Sequence, residues 1–167
     1  YGNLVKHPKG WTIFQRDEPG DSLMIVVSGR VKISNISSDG RESVLNFIEP
    51  GRSFGEIALF DGKPRSADAT TIEPTELLVF RRSDVLAFLE RHPEIAFRLI
   101  GILCDRIRAT TELLQDSVTL SMPQRIAKGI LRLAKRYGRA DADGVRIELK
   151  LSQRELAAYI GLARENI

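Results

Sequence analysis

Alternating apolar and polar residues define a series of short strands in the first half of the chain. Val31–Ile36 alternates with a period of two, which is typical of a strand with one buried face. Residues 43–48 and 76–80 follow the same pattern, and the apolar run 23–27 is typical of a buried strand. Turn-forming residues lie between these segments, at 19–21, 28–29, 39–40, 50–51 and 61–62. The pattern predicts an antiparallel sandwich or barrel within residues 11–81.

The pattern changes to a helical period after residue 82. Ser83 is predicted to cap a short helix over 84–90, and the His92-Pro93 pair to separate it from the next helix. That second helix is predicted to run from Pro93 to about Leu120. Cys104 falls in this helical pattern, where a small buried thiol is the expected role.

The long helix carries a narrow apolar stripe, which favours a two-stranded coiled coil over a helix packed on its own domain. Its members are Ile100, Leu103, Ile107, Leu114 and Val118. Packing within its own domain stays open as the alternative. Thr110 and Thr111 interrupt the stripe, and their hydroxyls need either a partner or a bond back to their own helix carbonyls.

The last third of the chain has the pattern of a small helical domain. Pro123 is predicted to start a helix over 124–137, followed by a polar connection at 138–144 and a strand over 145–149. An S-x-x-E capping box at Ser152–Glu155 precedes an apolar run, and Gly161 allows a sharp turn into another helix. Helix, turn and helix in this order indicate a helix-turn-helix, although such pairs also occur in ordinary helical domains.

Composition excludes several classes of protein and indicates one kind of partner. No apolar run reaches the roughly 20 residues of a membrane span, and the single cysteine excludes an intrachain disulfide or a multi-cysteine metal site. The two histidines have no neighbours at ligand spacing, so no metal is expected. Residues 1–122 hold 15 Lys and Arg against 17 Asp and Glu, whereas 123–167 hold 10 against 5. The basic segment suggests an acidic polymer as its partner.

One stretch, residues 54–67, concentrates groups that suit a nucleotide. Arg65 can bind a phosphate with a planar fork, Ser66 adds a hydroxyl donor, and Glu56 suits a sugar hydroxyl. Gly55 permits a positive φ or a close approach of the backbone to a ligand. A surface ion pair between Glu56 and Arg65 is the simpler alternative. A P-loop is excluded because its glycine and lysine pattern is absent.

In order, F-G-E-I-A-L at 54–59 followed by R-S-A at 65–67 closely resembles the phosphate-binding cassette of cyclic nucleotide-binding domains. The resemblance covers essentially the whole chain and extends to the bacterial Crp/Fnr regulators. It implies an α+β protein with an N-terminal antiparallel β-roll, a long dimerisation helix and a C-terminal winged helix-turn-helix. It also implies a set of ligand-binding residues: Gly55, Glu56, Ile57, Ala58, Arg65, Ser66, Thr110 and Thr111.

In these regulators two hydroxyl residues on the dimer helix contact the adenine of cyclic AMP. By resemblance, Thr110 serves the ligand of its own subunit and Thr111 reaches the ligand of the partner. Cyclic AMP is therefore the expected ligand, ahead of cyclic GMP, and a homodimer through residues 97–118 is expected.

The helix-turn-helix of this family reads base edges with an Arg-Glu pair at the start of its second helix. By resemblance the DNA-binding residues are Ser152, Gln153, Arg164 and Glu165; the arginine can bind guanine and the glutamate can accept from cytosine. Ala163 stands where a capping serine is frequent, which weakens that cap. The recognition helix is expected to continue past Ile167, and a segment is expected to precede Tyr1.

The expected organisation is a cyclic nucleotide-binding β-roll at 1–92, a dimerisation helix at 93–121 and a partial winged helix-turn-helix at 122–167. The expected function is a cyclic nucleotide-responsive transcriptional regulator of the bacterial cytoplasm, with double-stranded DNA as partner. The alternatives are a relative with a different effector, such as heme or an iron–sulfur cluster, and a nucleotide-binding module attached to another effector protein. An enzyme is disfavoured, because no base–nucleophile pair or metal cluster is seen.

Overall fold

The computed structural model describes residues 2–160, and the chain divides into two compact units. The first unit comprises residues 1–35 and 45–106, and the second comprises 36–44 and 107–167. Within the described residues, no helix has both the length and the apolar character that a membrane span requires.

Ten strands and five helices make up the described part of the chain. The strands are β1 (Asn3–His7), β2 (Thr12–Phe14), β3 (Ser22–Ser28), β4 (Val31–Ile36), β5 (Glu42–Ile48), β6 (Ser53–Phe54), β7 (Asp68–Thr71), β8 (Thr75–Arg81), β9 (Gly138–Asp141) and β10 (Gly144–Ile147). The helices are α1 (Glu56–Asp61), α2 (Arg82–Arg91), α3 (Pro93–Thr119), α4 (Met122–Tyr137) and α5 (Gln153–Ile160).

Two four-stranded sheets form the N-terminal β-roll. One has the strand order β1-β8-β3-β6 and the other β2-β7-β4-β5. The paired strands run antiparallel, with β3 lying in register against β8 from Ser22↔Arg81 to Val26↔Leu77. With the long α3 and the C-terminal helical segment, these sheets confirm the predicted α+β fold.

Strand β3 is buried on both of its faces, which explains its continuous apolar sequence. Met24 and Val26 point into the main core, together with Val31 of β4 and Leu77 of β8. Leu23 points the other way, into a second cluster with Leu59 of α1 and Val85 of α2. The second cluster fixes the cassette helix α1 against the sheet, so the position of the cassette depends on apolar packing behind it.

Two predicted features need correction. Helix α2 begins at Arg82, and its N-cap is Arg81 without a side-chain capping bond, so Ser83 is inside the helix and does not cap it. The polar connection predicted at 138–144 contains β9, which pairs with β10 to form a hairpin. Every residue of β9 is exposed, so the strand lacks the alternation that would have predicted it.

The C-terminal segment has a small core built from α4, α5 and Leu149, two residues after the β9–β10 hairpin. Its buried side chains are Leu133, Leu149, Ala157, Ala158 and Ile160. Gly129 lets the two helices approach closely, since a Cβ there would lie 2.6 Å from Ile160 Cγ1. Helix α4 starts at a capping box between Ser121 and Gln124, with Pro123 in its first turn, and the predicted Ser152–Glu155 box precedes α5.

Helix α3 exposes a stripe along its length that is apolar except at Thr111. Its members are Phe97, Ile100, Cys104, Ile107, Thr111, Leu114 and Val118, and successive members are three and four residues apart in strict alternation. This is the a/d spacing of a coiled-coil seam. Phe97 is 74 % exposed and Val118 79 %.

This stripe corrects two expectations. Leu103 is half-buried and lies beside the stripe, which passes through Cys104 instead. Cys104 is exposed in the single chain, so the prediction of a buried thiol was wrong for one subunit. The reason is that the apolar face on which it lies is not covered by its own chain.

The one buried residue of α3 is a carboxylate, Asp116, at 7 % exposure. Its Oδ1 accepts a hydrogen bond from Lys128 Nζ at 2.7 Å, and its Oδ2 lies 3.1 Å from Arg132 Nη1. Lys128 also pairs with Glu112 at 2.9 Å, and these bonds raise the pKa of Lys128. Burial of a carboxylate is unfavourable unless it is paired, so this cluster joins α3 to α4.

We expect Asp116→Asn to lower the free energy of unfolding of the protein. Removal of one partner from a buried ion pair leaves the others uncompensated, but the two cations face solvent in part, so the expected loss is about 1–2 kcal/mol. Thermal unfolding followed by circular dichroism measures it. Asp105→Asn, the same change at an exposed position of α3, is the matched control. Equal unfolding temperatures for the two variants would contradict the structural role of Asp116.

Candidate nucleotide-binding site

The cassette predicted from sequence forms a short helix between two glycines. Gly55 precedes α1 with φ +85°, and Gly62 ends the helix with φ +70°, both in the left-handed region that glycine adopts without strain. A Cβ on Gly55 would also lie 2.7 Å from Arg65 Nη1. Gly55 therefore has the positive φ that the sequence allowed, and it packs closely against the side chain of Arg65.

Arg65 lies inside the β-roll and is only 4 % exposed. Nη1 donates to the Ser22 carbonyl oxygen at 3.1 Å and to the Gly55 carbonyl oxygen at 2.9 Å. Nη2 donates to the same Ser22 carbonyl at 3.1 Å and to Ser22 Oγ at 2.9 Å. The guanidinium carbon lies 4.2 Å from the centre of the Phe14 ring. The orientation of this cation is thus set by strand β3, by the residue before α1 and by one aromatic face.

The charge of Arg65 is buried among acidic groups. Burial lowers the pKa of its guanidinium below the ordinary value, while Asp21, Glu56 and Glu18 act in the opposite direction. An arginine in a protein keeps its proton under all ordinary conditions. A fixed positive charge that water does not hydrate is well suited to bind an anionic group of a ligand.

Glu56 is the second buried ionisable residue of the cassette, at 5 % exposure. Its Oε1 lies 2.5 Å from Arg106 Nη1, on helix α3, and Arg106 Nη2 donates to the Ser53 carbonyl oxygen. Glu56 Oε2 has no hydrogen-bond partner. The salt bridge orients the carboxylate and leaves one oxygen available as an acceptor.

The two buried side chains thus each retain one unsatisfied polar atom, Arg65 Nε as a donor and Glu56 Oε2 as an acceptor. Buried polar atoms are rarely left without a partner, and those that are need an explanation. A ligand with an anionic group and a hydroxyl group would satisfy both. The alternative prediction, an ion pair of Glu56 with Arg65, is wrong in its partner, because Glu56 pairs with Arg106.

The other predicted cassette residues differ in exposure. Ala58 is buried, and it would contact any side chain added at Gly20. Ile57 is 49 % exposed on the outer face of α1, and Ser66 is exposed directly after Arg65. The structure therefore brings Gly55, Glu56, Ala58 and Arg65 together and leaves Ile57 and Ser66 at the surface.

The remaining predicted site residues lie in the second unit or outside the described residues. Thr110 and Thr111 are exposed on α3. Ser152 and Gln153 are exposed at the start of α5, where the Ser152 hydroxyl bonds Glu155 Oε2 at 2.7 Å and so serves the helix cap. Arg164 and Glu165 lie outside the described residues.

Sequence reasoning missed three residues that shape the site: Phe14, Ser22 and Arg106. Each is at least 40 residues from its partner in the cassette, with separations of 43 for Ser22 to Arg65 and 50 for Arg106 to Glu56. No local pattern marks them. Buried charges require partners, but that requirement does not identify which residues supply them.

No group of three or more His, Cys, Asp or Glu side chains in residues 2–160 is arranged to hold a metal ion. Families of known domains match both parts of the chain. Residues 4–92 match the cyclic nucleotide-binding domain, and residues 124–167 match the Crp-like helix-turn-helix domain.

Individual regulators are similar to this chain over nearly its whole length. A CRP-like cAMP-activated global transcriptional regulator of Mycobacterium tuberculosis is 37 % identical over 98 % of this chain and 73 % of its own length. The cyclic AMP receptor protein of Thermus thermophilus is 33 % identical over 96 % and 71 %. The fold is similar to that of the c-di-GMP responsive regulator CLP of Xanthomonas campestris, with a TM-score of 0.84, 24 % identity, and coverage of 99 % of this chain and 82 % of that one.

Proposed function

Because the chain belongs to the Crp-like DNA-binding transcriptional regulators that carry a cyclic nucleotide-binding domain, we propose that cyclic AMP is the ligand that controls it. The observation that carries this proposal is the pair of buried, unsatisfied atoms in the cassette, Arg65 Nε and Glu56 Oε2. A cyclic nucleotide supplies one phosphate and one free ribose hydroxyl, which match this donor and this acceptor. The regulators from M. tuberculosis and T. thermophilus, named for cyclic AMP, support the choice of nucleotide.

Each cassette residue then has a defined role. Arg65 neutralises the phosphate through its guanidinium, and Ser66 adds a hydroxyl donor from the surface. Glu56, oriented by Arg106, accepts from the ribose 2′-hydroxyl through Oε2. Gly55 and Ile57 contribute backbone to the site, and Ala58 contributes its apolar wall.

DNA binding is proposed to require a homodimer formed through residues 97–118. The exposed a/d stripe of α3 gives the surface for a second copy of the chain. In such a dimer, two helix-turn-helix segments read half-sites about 34–36 Å apart, with Ser152, Gln153, Arg164 and Glu165 at the DNA. A ligand that favours one arrangement of the two subunits would shift the population toward the DNA-binding form. A regulator of this kind acts in the cytoplasm.

Isothermal calorimetry of the protein with cyclic AMP, cyclic GMP and cyclic di-GMP in parallel tests the choice of ligand. We expect cyclic AMP to bind most tightly and to increase the affinity for DNA. Tighter binding of cyclic di-GMP, the effector named for the Xanthomonas regulator, would overturn the proposal of cyclic AMP while leaving the family intact.

The double substitution Thr110→Ala with Thr111→Ala is expected to weaken cyclic AMP selectively. If the two hydroxyls contact the adenine edge, their loss decreases the binding free energy by roughly 1–3 kcal/mol. Cyclic GMP should change much less, because the phosphate and ribose contacts through Arg65 and Glu56 remain. Calorimetry with both nucleotides measures the difference. The increase in DNA affinity caused by cyclic AMP should fall by a larger factor than the affinity for cyclic AMP itself.

A matched control for the threonines is Thr119→Ala, which removes an exposed hydroxyl that bonds the Gln115 carbonyl of its own helix at 2.8 Å. This variant should bind both nucleotides like the wild type. Equal weakening of cyclic AMP and cyclic GMP by the double substitution would indicate that Thr110 and Thr111 are structural.

A further inference from the structure

The hydrogen bonds of Arg65 leave one edge of its guanidinium incompletely used. A guanidinium carries five N–H donors, two on each Nη and one on Nε. The Ser22 carbonyl takes the end-on edge by accepting from both Nη1 and Nη2. The Gly55 carbonyl takes the remaining hydrogen of Nη1, and Ser22 Oγ takes the remaining hydrogen of Nη2. Nε alone has no partner.

The Nε hydrogen and the Nη2 hydrogen that binds Ser22 Oγ point in the same direction. Together they form the side-on edge of the planar guanidinium group. This is one of the two edges through which an arginine binds a phosphate with two parallel bonds. A serine hydroxyl that accepts one hydrogen bond still has its own hydrogen to donate. The edge therefore presents two donors, the Nε–H of Arg65 and the O–H of Ser22.

Only glycine fits at position 20, beside this edge. A Cβ added to Gly20 would lie 2.6 Å from Arg65 Nε and 2.6 Å from Ala58 Cβ, so no side chain from this position can occupy the contact. The position of Ser22 is fixed, because strand β3 is in register with β8 through the Ser22↔Arg81 pair.

We infer that Ser22 is a further ligand-binding residue, whose hydroxyl donates to one exocyclic oxygen of the cyclic phosphate while Arg65 Nε donates to the other. The bond from Nη2 polarises the hydroxyl and makes it a stronger donor, as in any chain of hydrogen bonds that starts at a cation. Arg65 then keeps all four of its internal bonds when the ligand binds. This role rests on the proposed function.

The test compares the wild type with Ser22→Ala, Ser22→Thr and Ser28→Ala by calorimetry. Ser28 is exposed at the other end of β3 and serves as the matched control for the loss of a hydroxyl. The ligands are cyclic AMP and its two phosphorothioate diastereomers, in each of which one exocyclic oxygen is replaced by sulfur, a weaker acceptor. We expect Ser22→Ala to weaken cyclic AMP about tenfold, Ser22→Thr to restore most of the affinity, and Ser28→Ala to have no effect.

The decisive measurement is the ratio of affinities for the two diastereomers. Ser22→Ala should lower the affinity only slightly for the diastereomer whose sulfur faces Ser22. For the other diastereomer it should lower the affinity by the full factor of about ten. This ratio is independent of the fraction of protein that is folded, so partial unfolding of the alanine variant does not affect it. An equal loss of affinity for all three ligands in Ser22→Ala, or no loss, would overturn the role of Ser22 and leave the proposed function standing. Failure of the wild type to bind any cyclic nucleotide would instead overturn the proposed function and this role with it.

Discussion

Replacement of Arg65 by leucine is expected to abolish measurable binding of cyclic nucleotides. Arg65 is the cation buried within the cassette, and it is held in place by Ser22, Gly55 and Phe14 before any ligand arrives. Loss of a charge-assisted contact in a desolvated site decreases the binding free energy by about 2–5 kcal/mol. The affinity should therefore fall roughly 30-fold to several thousand-fold, as measured by calorimetry.

The same substitution also leaves internal acceptors without a donor. The Ser22 and Gly55 carbonyl oxygens lose the bonds from the guanidinium, which should decrease the free energy of unfolding by about 1–3 kcal/mol. The main core around Val26 and Leu77 does not include Arg65, so the β-roll should still fold. Circular dichroism and thermal unfolding of the variant separate loss of binding from loss of structure.

Two further variants make the Arg65 prediction specific. Arg65→Lys keeps the charge but lacks the planar fork, so it should restore binding only in part. Lys63→Leu removes an exposed cation two residues away and should leave the affinity unchanged. An Arg65→Leu variant that folds and binds cyclic AMP like the wild type would remove the cassette from the proposed function.

The second large effect is expected on α3. Ile107→Asp with Leu114→Asp should convert the protein into a monomer at micromolar concentration. Both side chains lie on the exposed a/d stripe. In a dimer seam, each new carboxylate would be buried near the same carboxylate of the partner subunit, without a counter-charge. Because each half-site alone contributes only part of the affinity, DNA binding should fall at least a hundredfold, on the order of 3 kcal/mol. Sedimentation velocity and a DNA titration measure the two effects.

The control for dimerisation places the same charge on the opposite face of α3. Ala109→Asp lies two residues from Ile107, away from the stripe, and should remain dimeric. Cys104 supplies an independent readout, because a parallel seam places it opposite Cys104 of the partner subunit. Mild oxidation should link wild-type dimers, and Cys104→Ser should abolish the link. A monomeric wild type at micromolar concentration would contradict the proposed seam.

Patterns with a local physical cause predicted much of the fold. Strand β4 has the predicted bounds, Val31–Ile36, but its burial does not follow the predicted period of two, because Ser34 is buried and Ile36 is exposed. The start of α3 follows from Pro93, which can begin a helix but not continue the preceding one. Strand β9 was missed because all four of its residues are exposed, and a strand without a buried face leaves no pattern.

Only those site residues that lie close together in the sequence could be predicted. The cassette residues Gly55, Glu56 and Arg65 are contiguous enough to be recognised together. Ser22 and Arg106 reach them through tertiary structure, from strand β3 and helix α3. The same limit explains the error at Cys104, whose exposure depends on a face that a single chain does not cover.

The Asp116 cluster has a consequence for how salt governs DNA binding. Protein–DNA affinity falls with salt in proportion to the number of cations that replace counterions on the phosphates. Lys128 and Arg132 belong to the basic C-terminal segment, but Asp116 and Glu112 already pair with them inside the protein. While that cluster is intact, these two side chains should release fewer counterions than unpaired cations would. The salt dependence of DNA binding is therefore set by fewer cations than the composition of the segment suggests.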